Sequence, residues 1–339
     1  MSSRYIFTSL TRISPLASSS FEVISLPHSK WDTGDYVVCV VNKPYNSALK
    51  IELPNGRMAE VAEGDVLVGV LGERFATMEV TGTWRMTGKD GQMQVLTGAG
   101  LFGKMTSCSM FLPPLISIRY IGHVHYAQHK ATMQDFVPEI TIKKFNTPTI
   151  LMVGTSMSAG KTTVAKIVTR QLKKAGLTVL GAKLTGAGRY RDILSISDAG
   201  ADCIFDFVDV GLPSTICPKE NYMAALQKLL SKMAGQQADV AVVEIGASPL
   251  EPYNGEIAIQ EIRNCIQCTI LCASDPYAVY GVMKAFEISP DMVSGVATNT
   301  KAGVALIEKL CGVPALNLID YDTSETLKKI LSNKLNRTL

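Results

Sequence analysis

The stretch ILMVGTSMSAGKTT, residues 150–163, decides the fold of this chain. Its first four residues are apolar and predict a buried strand, and the small residues after them predict a loop. A helix is predicted next, because the apolar positions of residues 162–175 recur on one face. A strand, a loop of small residues and a helix start form a cradle for phosphate, since backbone N–H groups of the loop and the helix start point at the anion. The stretch therefore predicts a P-loop centred on Gly160, Lys161 and Thr162.

Two side chains of this loop have predicted chemical roles. Lys161 neutralises charge on the β and γ phosphates of a nucleotide, and the Thr162 hydroxyl is a hard oxygen ligand for Mg²⁺. The standard motif has glycine at the position of Thr155, whereas here Gly154 lies one residue earlier and the loop is one residue longer. We expect ATP and Mg²⁺ as cofactors. The predicted nucleotide contacts of the loop are Thr155, Ser158, Ala159, Gly160, Lys161, Thr162 and Thr163.

The chain beyond residue 149 alternates between two patterns. Uniformly apolar runs, typical of strands buried on both faces, are separated by stretches with helical periodicity. This alternation predicts an α/β domain with a doubly wound, mostly parallel sheet whose crossover helices cover both faces. At the C-terminus, Asp322 and Glu325 are predicted to cap a last helix. The predicted strands of this half are residues 149–154, 177–184, 239–245, 269–273 and 293–298.

The first part of the chain has short apolar runs separated by turn residues, which indicates a smaller β-rich domain. Asn55-Gly56 and Asp90-Gly91 are typical of hairpin turns. We expect a small antiparallel barrel or sandwich at residues 1–140, a linker at 141–148 and the P-loop domain at 149–339. Substrate shaping and subunit contact both stay open as the role of the β-rich domain. Its predicted strands are residues 22–26, 36–41, 48–53, 65–71, 76–81 and 93–96.

A carboxylate is predicted beside the P-loop. The apolar run at residues 239–243 places Glu244 at the C-terminal end of its strand, and ligands of doubly wound sheets bind at this edge. Carboxylate oxygen is a ligand that Mg²⁺ accepts readily. We therefore expect Glu244 to share the metal with Thr162.

The loop resembles that of a known family. Gly154-Thr155, four further residues and then Gly160-Lys161-Thr162 are similar to the loop of dethiobiotin synthetase, cobyrinic acid a,c-diamide synthase and cobyric acid synthase. These enzymes use ATP to activate a carboxylate or CO₂. The resemblance covers residues 149–320 and excludes the β-rich part. Residues 244–251, EIGASPLE, also resemble the Glu-Gly-Ala-Gly-Ser-Pro-x-Glu run of cobyric acid synthase, with departures at residues 245 and 246 that affect backbone approach to the substrate.

The resemblance implies roles for three further residues. Lys183, which ends the second strand, is implied to contact the γ-phosphate and the substrate. Asp198 resembles the family's metal-binding carboxylate, and Asn299 resembles its base-reading asparagine. A guanine reader has an aspartate shortly after the asparagine, but here Asn299 is followed by Thr300, Lys301 and an alanine, so ATP is preferred over GTP.

These features predict an ATP- and Mg²⁺-dependent synthetase or kinase-like enzyme that activates a carboxylate, carbamate or similar group of a small molecule. Lys161 and Lys183 are its predicted catalytic residues. Cobyric acid synthase has a C-terminal glutaminase domain, whereas 19 residues follow Asp320 here, so an amide-forming reaction would need ammonia or a partner glutaminase. The alternative is an ATP-binding switch or assembly factor that acts on a protein partner. We also expect a homodimer.

Composition argues against other classes. The chain has 33 Lys plus Arg against 30 Asp plus Glu, a net charge of +3 that is too balanced to indicate a nucleic-acid-binding surface. No apolar run reaches the ~18–20 residues of a membrane span. The eight scattered cysteines indicate reduced thiols and hence the cytoplasm. The serine-rich residues 1–21 leave an organelle transit peptide open as an alternative.

Two clusters of metal-ligand residue types occur outside the P-loop. The three cysteines within residues 265–272 are predicted to be buried thiols, because they bridge a helix end and an apolar strand with no fourth ligand near them. For His123, His125 and His129, a zinc site and free surface histidines both stay open.

Overall fold

The computed structural model describes residues 4–43 and 50–339. The chain forms two compact units. Unit 1 comprises Met1–Glu139 together with Ala187–Arg191 and Phe207–Cys217, and unit 2 comprises Ile140–Gly186, Asp192–Asp206 and Pro218–Leu339. The sequence prediction placed both short segments of unit 1 in the P-loop domain. Each of these segments follows a strand of the P-loop domain. Their local sequence pattern therefore does not reveal that they pack with unit 1.

Unit 1 is built from short strands. Among the described residues of this unit, ten strands belong to one sheet, and two form a separate hairpin. The strands are β1 (Tyr5–Phe7), β2 (Glu22–Ile24), β3 (Tyr36–Lys43), β4 (Ile51–Glu52), β5 (Met58–Ala59), β6 (Val66–Leu71), β7 (Glu73–Phe75), β8 (Val80–Thr83), β9 (Gln92–Thr97), β10 (Leu101–Cys108), β11 (Ser117–Tyr126) and β12 (His129–Lys130).

The large sheet of unit 1 closes into a barrel. Its ring runs β6-β3-β11-β9-β10, with antiparallel neighbours throughout, and a parallel pairing between β10 and β6 closes it. Alternate residues of each strand point inward, which is the two-residue period of a strand. In β3 these are Val37, Cys39 and Val41, which pack with Trp31 and Phe102 in one apolar core. The β-rich domain is therefore confirmed, and it is a barrel.

Two turns differ from the sequence prediction. Asn55-Gly56 does lie between the paired strands β4 and β5, but only Gly56 has a positive φ (+81°), so the turn is not the predicted type I′, which needs two. Asp90-Gly91 leads into β9, whose partners are β10 and β11, so it joins no hairpin. The predicted strand at residues 48–53 starts outside the described residues, and its described part contains β4.

Beyond residue 140, strands and helices alternate as the sequence predicts. The strands are β13 (Thr149–Gly154), β14 (Val179–Thr185), β15 (Cys203–Asp206), β16 (Val240–Ile245), β17 (Ile266–Cys272) and β18 (Met292–Ser294). The helices are α1 (Lys161–Lys174), α2 (Tyr190–Asp198), α3 (Lys219–Ala234), α4 (Gly255–Ile262), α5 (Pro276–Phe286), α6 (Lys301–Cys311) and α7 (Ser324–Leu335).

The six strands of unit 2 form one parallel sheet in the order β15-β14-β16-β13-β17-β18. Every residue of β13, β14 and β16 is buried, which explains why these strands are mostly apolar, with Lys183 and Glu244 as their charged residues. Helix α1 follows β13 and buries one face, including Val164, Val168 and Leu172. The α/β fold is confirmed. Because all strands run in one direction, their C-terminal ends share one edge of the sheet.

The end of the chain differs in detail from the prediction. The predicted strand at 293–298 stops at Ser294, because Gly295 has a φ of +91° and a 3₁₀ turn follows. Helix α7 begins at Ser324, and the Asp322 side chain does not cap it. Leu327 and Leu331 of this helix are buried. Within the described residues, every helix is too short or too polar to cross a bilayer.

The barrel core generates a stability prediction. Phe102 is fully buried in that core, so Phe102→Ala should lower the free energy of unfolding of unit 1 by about 3–5 kcal/mol. Both tryptophans of the chain, Trp31 and Trp84, lie in the same core, so tryptophan fluorescence in a urea titration reports this unit. Phe75, which is 44% exposed, supplies the control, and Phe75→Ala should cost less than about 1 kcal/mol. Equal losses for both variants would contradict the assigned core.

Candidate functional site

The P-loop connects β13 to α1 at the shared C-terminal edge of the sheet. Gly160 has a φ of +97°, a conformation that favours glycine, and a Cβ there would lie 3.2 Å from the Gly295 Cα. A Cβ on Gly295 would in turn overlap the Ala159 carbonyl oxygen. The P-loop and the turn after β18 thus pack backbone against backbone. Both the φ value and the limited space therefore favour glycine at position 160.

Thr155 anchors the start of the loop. Its N–H donates to the Cys272 carbonyl (3.0 Å), and its Oγ1 accepts from the Ser274 N–H (3.1 Å). These bonds join the loop to the end of β17. A glycine has no hydroxyl and could make only the first of them. The hydroxyl gives a structural reason for threonine where the standard motif has glycine.

Lys161 lies inside the loop. Its side chain is nearly fully buried, and Nζ donates to the Ser156 carbonyl oxygen at 2.6 Å. Burial lowers the pKa of the Lys161 ammonium from its ordinary value, and the nearby Glu244 carboxylate opposes this shift. The Ser156 hydroxyl is also buried, and among the described residues it has no hydrogen-bond partner. Ser156 was missed at the sequence level because small loop residues look alike there.

Thr162 and Glu244 lie side by side. The Thr162 hydroxyl donates to Glu244 Oε2 at 3.0 Å, and Glu244 is buried at the end of β16. Within the described ranges, no group of three or more His, Cys, Asp or Glu side chains is arranged to hold a metal. Mg²⁺ commonly takes one or two carboxylates together with phosphate oxygens and water, so a hydroxyl and a carboxylate at this edge fit such an ion.

Lys183 is the second buried cation of this edge. It is in register with Glu244 on one neighbouring strand and with Asp206 on the other, and its Nζ forms an ion pair of 2.6 Å with Asp192. Burial acts to lower the pKa of Lys183, but the surrounding carboxylates, Asp192 first, outweigh it and raise the pKa above its ordinary value. Lys183 is therefore a charged ammonium, and it lies at the same edge of the sheet as Glu244.

Two predicted site residues lie farther from this group. Asp198 is the last residue of α2 and is exposed, whereas Asp192 in the first turn contacts Lys183. Six residues of helix separate the two aspartates by about 9 Å along the axis. Asn299 is exposed in the turn after β18, four residues beyond Gly295. Of the remaining predicted loop contacts, Ala159 is buried, while Ser158 and Thr163 are exposed.

The turn after β16 brings backbone close to β14. A Cβ on Gly246 would overlap the Thr185 carbonyl oxygen, and the Thr185 hydroxyl donates to the Gly246 carbonyl at 3.0 Å. The turn is closed by Glu251, which is buried and accepts from the Ser248 N–H at 2.6 Å. The backbone at Gly246 thus lies close to β14, at a position where the family run has alanine. Ile245, the other departure, is a buried residue of the strand.

The other two clusters form no assembled metal site in the described part of the chain. The cysteines within 265–272 are free and buried. His123 is fully buried in unit 1, with Nε2 3.1 Å from Asp35 Oδ2 and Nδ1 2.5 Å from the Tyr120 hydroxyl. His129 is exposed and lies 3.5 Å from Asp135. His123 and His129 therefore interact with separate groups, and the buried Nε2 of His125 has no hydrogen-bond partner among the described residues.

No protein-family model and no curated protein matches this chain. Solved structures with a similar fold include chloroplast FtsY from Physcomitrella patens, with 15% identity, a TM-score of 0.35, and coverage of 52% of this chain and 59% of that one. A DUF1611 family protein from Anabaena variabilis has 13% identity and a TM-score of 0.38, with 57% and 62% covered. The hydrogenase maturation factor HypB from Archaeoglobus fulgidus has 13% identity and a TM-score of 0.39, with 56% and 91% covered.

At this level of identity and superposition, the likenesses carry no argument about activity or partners. The chain spans less than two thirds of the length of the FtsY and DUF1611 structures. The fold assignment rests on the geometry of unit 2 itself: a six-stranded parallel sheet, with the phosphate loop between β13 and α1 and buried Lys161 at its end. Unit 2 has the P-loop NTPase fold, whose loop is a nucleotide-binding element.

Proposed function

We propose that unit 2 binds ATP with Mg²⁺ and transfers the γ-phosphoryl group to an oxygen of a small-molecule acceptor, such as a carboxylate or carbamate. The observation that carries the proposal is the second buried ammonium. Lys183 lies in register with Glu244, which itself contacts Thr162 of the P-loop. Phosphoryl transfer needs little covalent help from a protein and mainly requires positive charge around the transferred group.

Each residue has a proposed task in this reaction. The loop amides and Lys161 hold the phosphates, and Lys183 stabilises charge on the γ oxygens. Bound Mg²⁺ would supply further positive charge to the β and γ oxygens, with Thr162 and Glu244 as its protein ligands. The acceptor oxygen forms a bond to the γ phosphorus while the bond to the bridging oxygen of the β phosphate breaks, and ADP leaves with that electron pair.

The source of the second cation favours an enzyme over a partner-controlled switch. In nucleotide switches that depend on an activating protein, the partner supplies a cation in trans. Here the chain supplies Lys183 from its own β14, where the residue is nearly fully buried and paired with Asp192. A prebuilt cation of this kind supports turnover without a protein activator.

The choice of ATP rests on the turn after β18. Its first residue, Gly295, packs against the P-loop, and we assign base reading to Asn299, four residues farther along the same turn. The next residue, Thr300, uses its hydroxyl to accept from the Gly303 N–H and cap α6. Residues 300–303 contain no carboxylate that could accept hydrogen bonds from guanine, so this turn suits adenine better.

Asp192 is a better candidate than Asp198 for the second metal carboxylate. It lies in the first turn of α2 and pairs with Lys183, whereas Asp198 lies at the far end of the same helix. The proposed set around the metal is therefore Thr162, Glu244 and Asp192. The homodimer, the cytoplasmic location and the nitrogen source remain predictions from the sequence.

Separate effects on binding and turnover are expected for the two lysines. Lys161→Ala should weaken Mg-ATP affinity, measured by calorimetry, about 10- to 100-fold, since it removes a charge-assisted contact. Lys183→Ala should leave that affinity within about threefold and lower kcat about 100-fold, because its charge acts mainly in the transition state. Lys174→Ala, an exposed residue at the end of α1, is the control. The readout of turnover is ADP release with a panel of carboxylic and amino acids, each with bicarbonate or ammonia.

Two outcomes would contradict this function. A lack of nucleotide uptake in the presence of Mg²⁺ would remove the ATP site altogether. Slow hydrolysis that no small molecule stimulates, but that a protein partner accelerates, would favour the switch.

The metal set predicts a difference between two aspartates of one helix. Asp192→Asn should raise the Mg²⁺ concentration for half-maximal ADP release about 10-fold or more, because loss of a carboxylate near the ion weakens its binding. Asp198→Asn should change it less than about twofold. The measurement is ADP release against Mg²⁺ concentration at saturating ATP. A larger effect for Asp198→Asn than for Asp192→Asn would restore the assignment made from the sequence alone.

A further inference from the structure

Unit 1 contains a buried carboxylate with an unusual set of partners. Glu52, the last residue of β4, is 1% exposed. Its Oε2 accepts from the Ser9 hydroxyl and from the Tyr190 N–H (2.8 Å), and its Oε1 accepts from the Arg191 N–H (2.8 Å). Burying a carboxylate is costly unless hydrogen bonds replace water. Both oxygens of Glu52 are therefore committed to these donors.

The two backbone donors are the start of a helix. Tyr190 and Arg191 are the first residues of α2, and N–H groups in the first turn have no acceptor within their own helix. A carboxylate at this position is also favoured by the helix dipole. Glu52 thus acts as an N-terminal cap of α2, although 138 residues separate it from Tyr190.

Other residues of unit 1 hold the same segment. The Gly188 N–H donates to the Pro213 carbonyl at 2.9 Å, and the Thr97 hydroxyl donates to the Gly188 carbonyl at 3.2 Å. The Arg12 guanidinium lies 4.3 Å from the centre of the Tyr190 ring. Contacts within unit 1 therefore hold both Gly188, just before α2, and Tyr190, the first residue of α2.

The next residue of the same helix belongs to the phosphate site. Asp192 directly follows Arg191, and its carboxylate holds the Lys183 ammonium at 2.6 Å. One peptide bond thus separates an amide bound by Glu52 from the residue that orients Lys183. Because a helix is stiff over one turn, a change in its cap changes the position of Asp192.

We propose that Glu52 is a positioning residue for phosphoryl transfer: it fixes the first turn of α2 so that Asp192 holds Lys183 in place. The inference rests on the proposed function only for the role of Lys183. This role of the β-rich unit differs from both roles left open by the sequence, which are substrate shaping and subunit contact. Glu52 touches no reacting atom and acts through Asp192.

The closing experiment reads the position of Lys183 without nucleotide. Limited acetylation of the full chain with acetic anhydride, followed by mass spectrometry, measures the accessibility of each lysine. Glu52→Gln should raise the labelling rate of Lys183 about three- to tenfold, as Asp192→Asn does. It should also speed amide hydrogen exchange in residues 190–198 about 5- to 30-fold, which corresponds to loss of a helix cap. Ser9→Ala, a milder variant, should raise both rates about two- to threefold.

The matched control is Asp35→Asn, the same change at another buried carboxylate of unit 1. Asp35 accepts from the Asp32 N–H and from Lys130, so its loss perturbs unit 1 away from α2. It should leave Lys183 labelling unchanged. Unchanged labelling in Glu52→Gln and Ser9→Ala, or equal increases in Asp35→Asn, would overturn the inference.

Turnover supplies a second, independent arm. Glu52→Gln should lower kcat about tenfold with Mg-ATP affinity within about threefold, and in the Asp192→Asn background it should add less than a twofold effect. If Glu52→Gln also lowered kcat about tenfold in the Asp192→Asn background, Glu52 would not act through Asp192. If the chain takes up no nucleotide, the proposed function fails, while labelling and exchange still decide whether Glu52 positions Lys183.

Discussion

The structure depends on one constraint: a strand buried on both faces accommodates charged side chains best near its end, where other polar groups can reach them. In β14 and β16 this rule puts Lys183 and Glu244 at the same edge, and their register makes them neighbours. Lys161 enters the same edge from the loop after β13. Removal of these charges from water is costly, and their mutual attraction offsets that cost only in part. An edge built in this way suits a ligand that itself brings charges of both signs, as a metal-bound triphosphate does.

Much of the fold of unit 2 follows from local sequence. Uniformly apolar runs, small loop residues and helical periodicity are short-range signals, and they suffice to predict β13, the loop, α1 and the parallel sheet. The strand order is different. Insertion of β16 between β13 and β14 depends on packing between distant segments, and no local pattern encodes it. Closure of the barrel by the parallel pairing of β10 with β6 is likewise a long-range event.

The site residues divide along the same line. Lys161 and Thr162 begin α1, and Glu244 lies near the end of β16, and local sequence patterns reveal both kinds of position. Asp198 matches a motif by residue type, but a motif match does not say where in the helix the residue falls. In the structure Asp198 ends α2, and Asp192 lies in its first turn. Glu52 could not be found from the sequence, because its function as a cap exists only after β4 and α2 have been brought together.

The contact between Gly160 and Gly295 has a consequence for how a nucleotide would be sensed. With no side chain between the two backbones, the turn that carries Asn299 packs directly on the phosphate loop, so it cannot move toward the loop without displacing it. Recognition of the base and of the phosphates would then be one event with a shared ordering cost rather than two separate ones. A nucleoside has no phosphates, so its base contacts alone would have to offset the free energy of ordering both the turn and the loop.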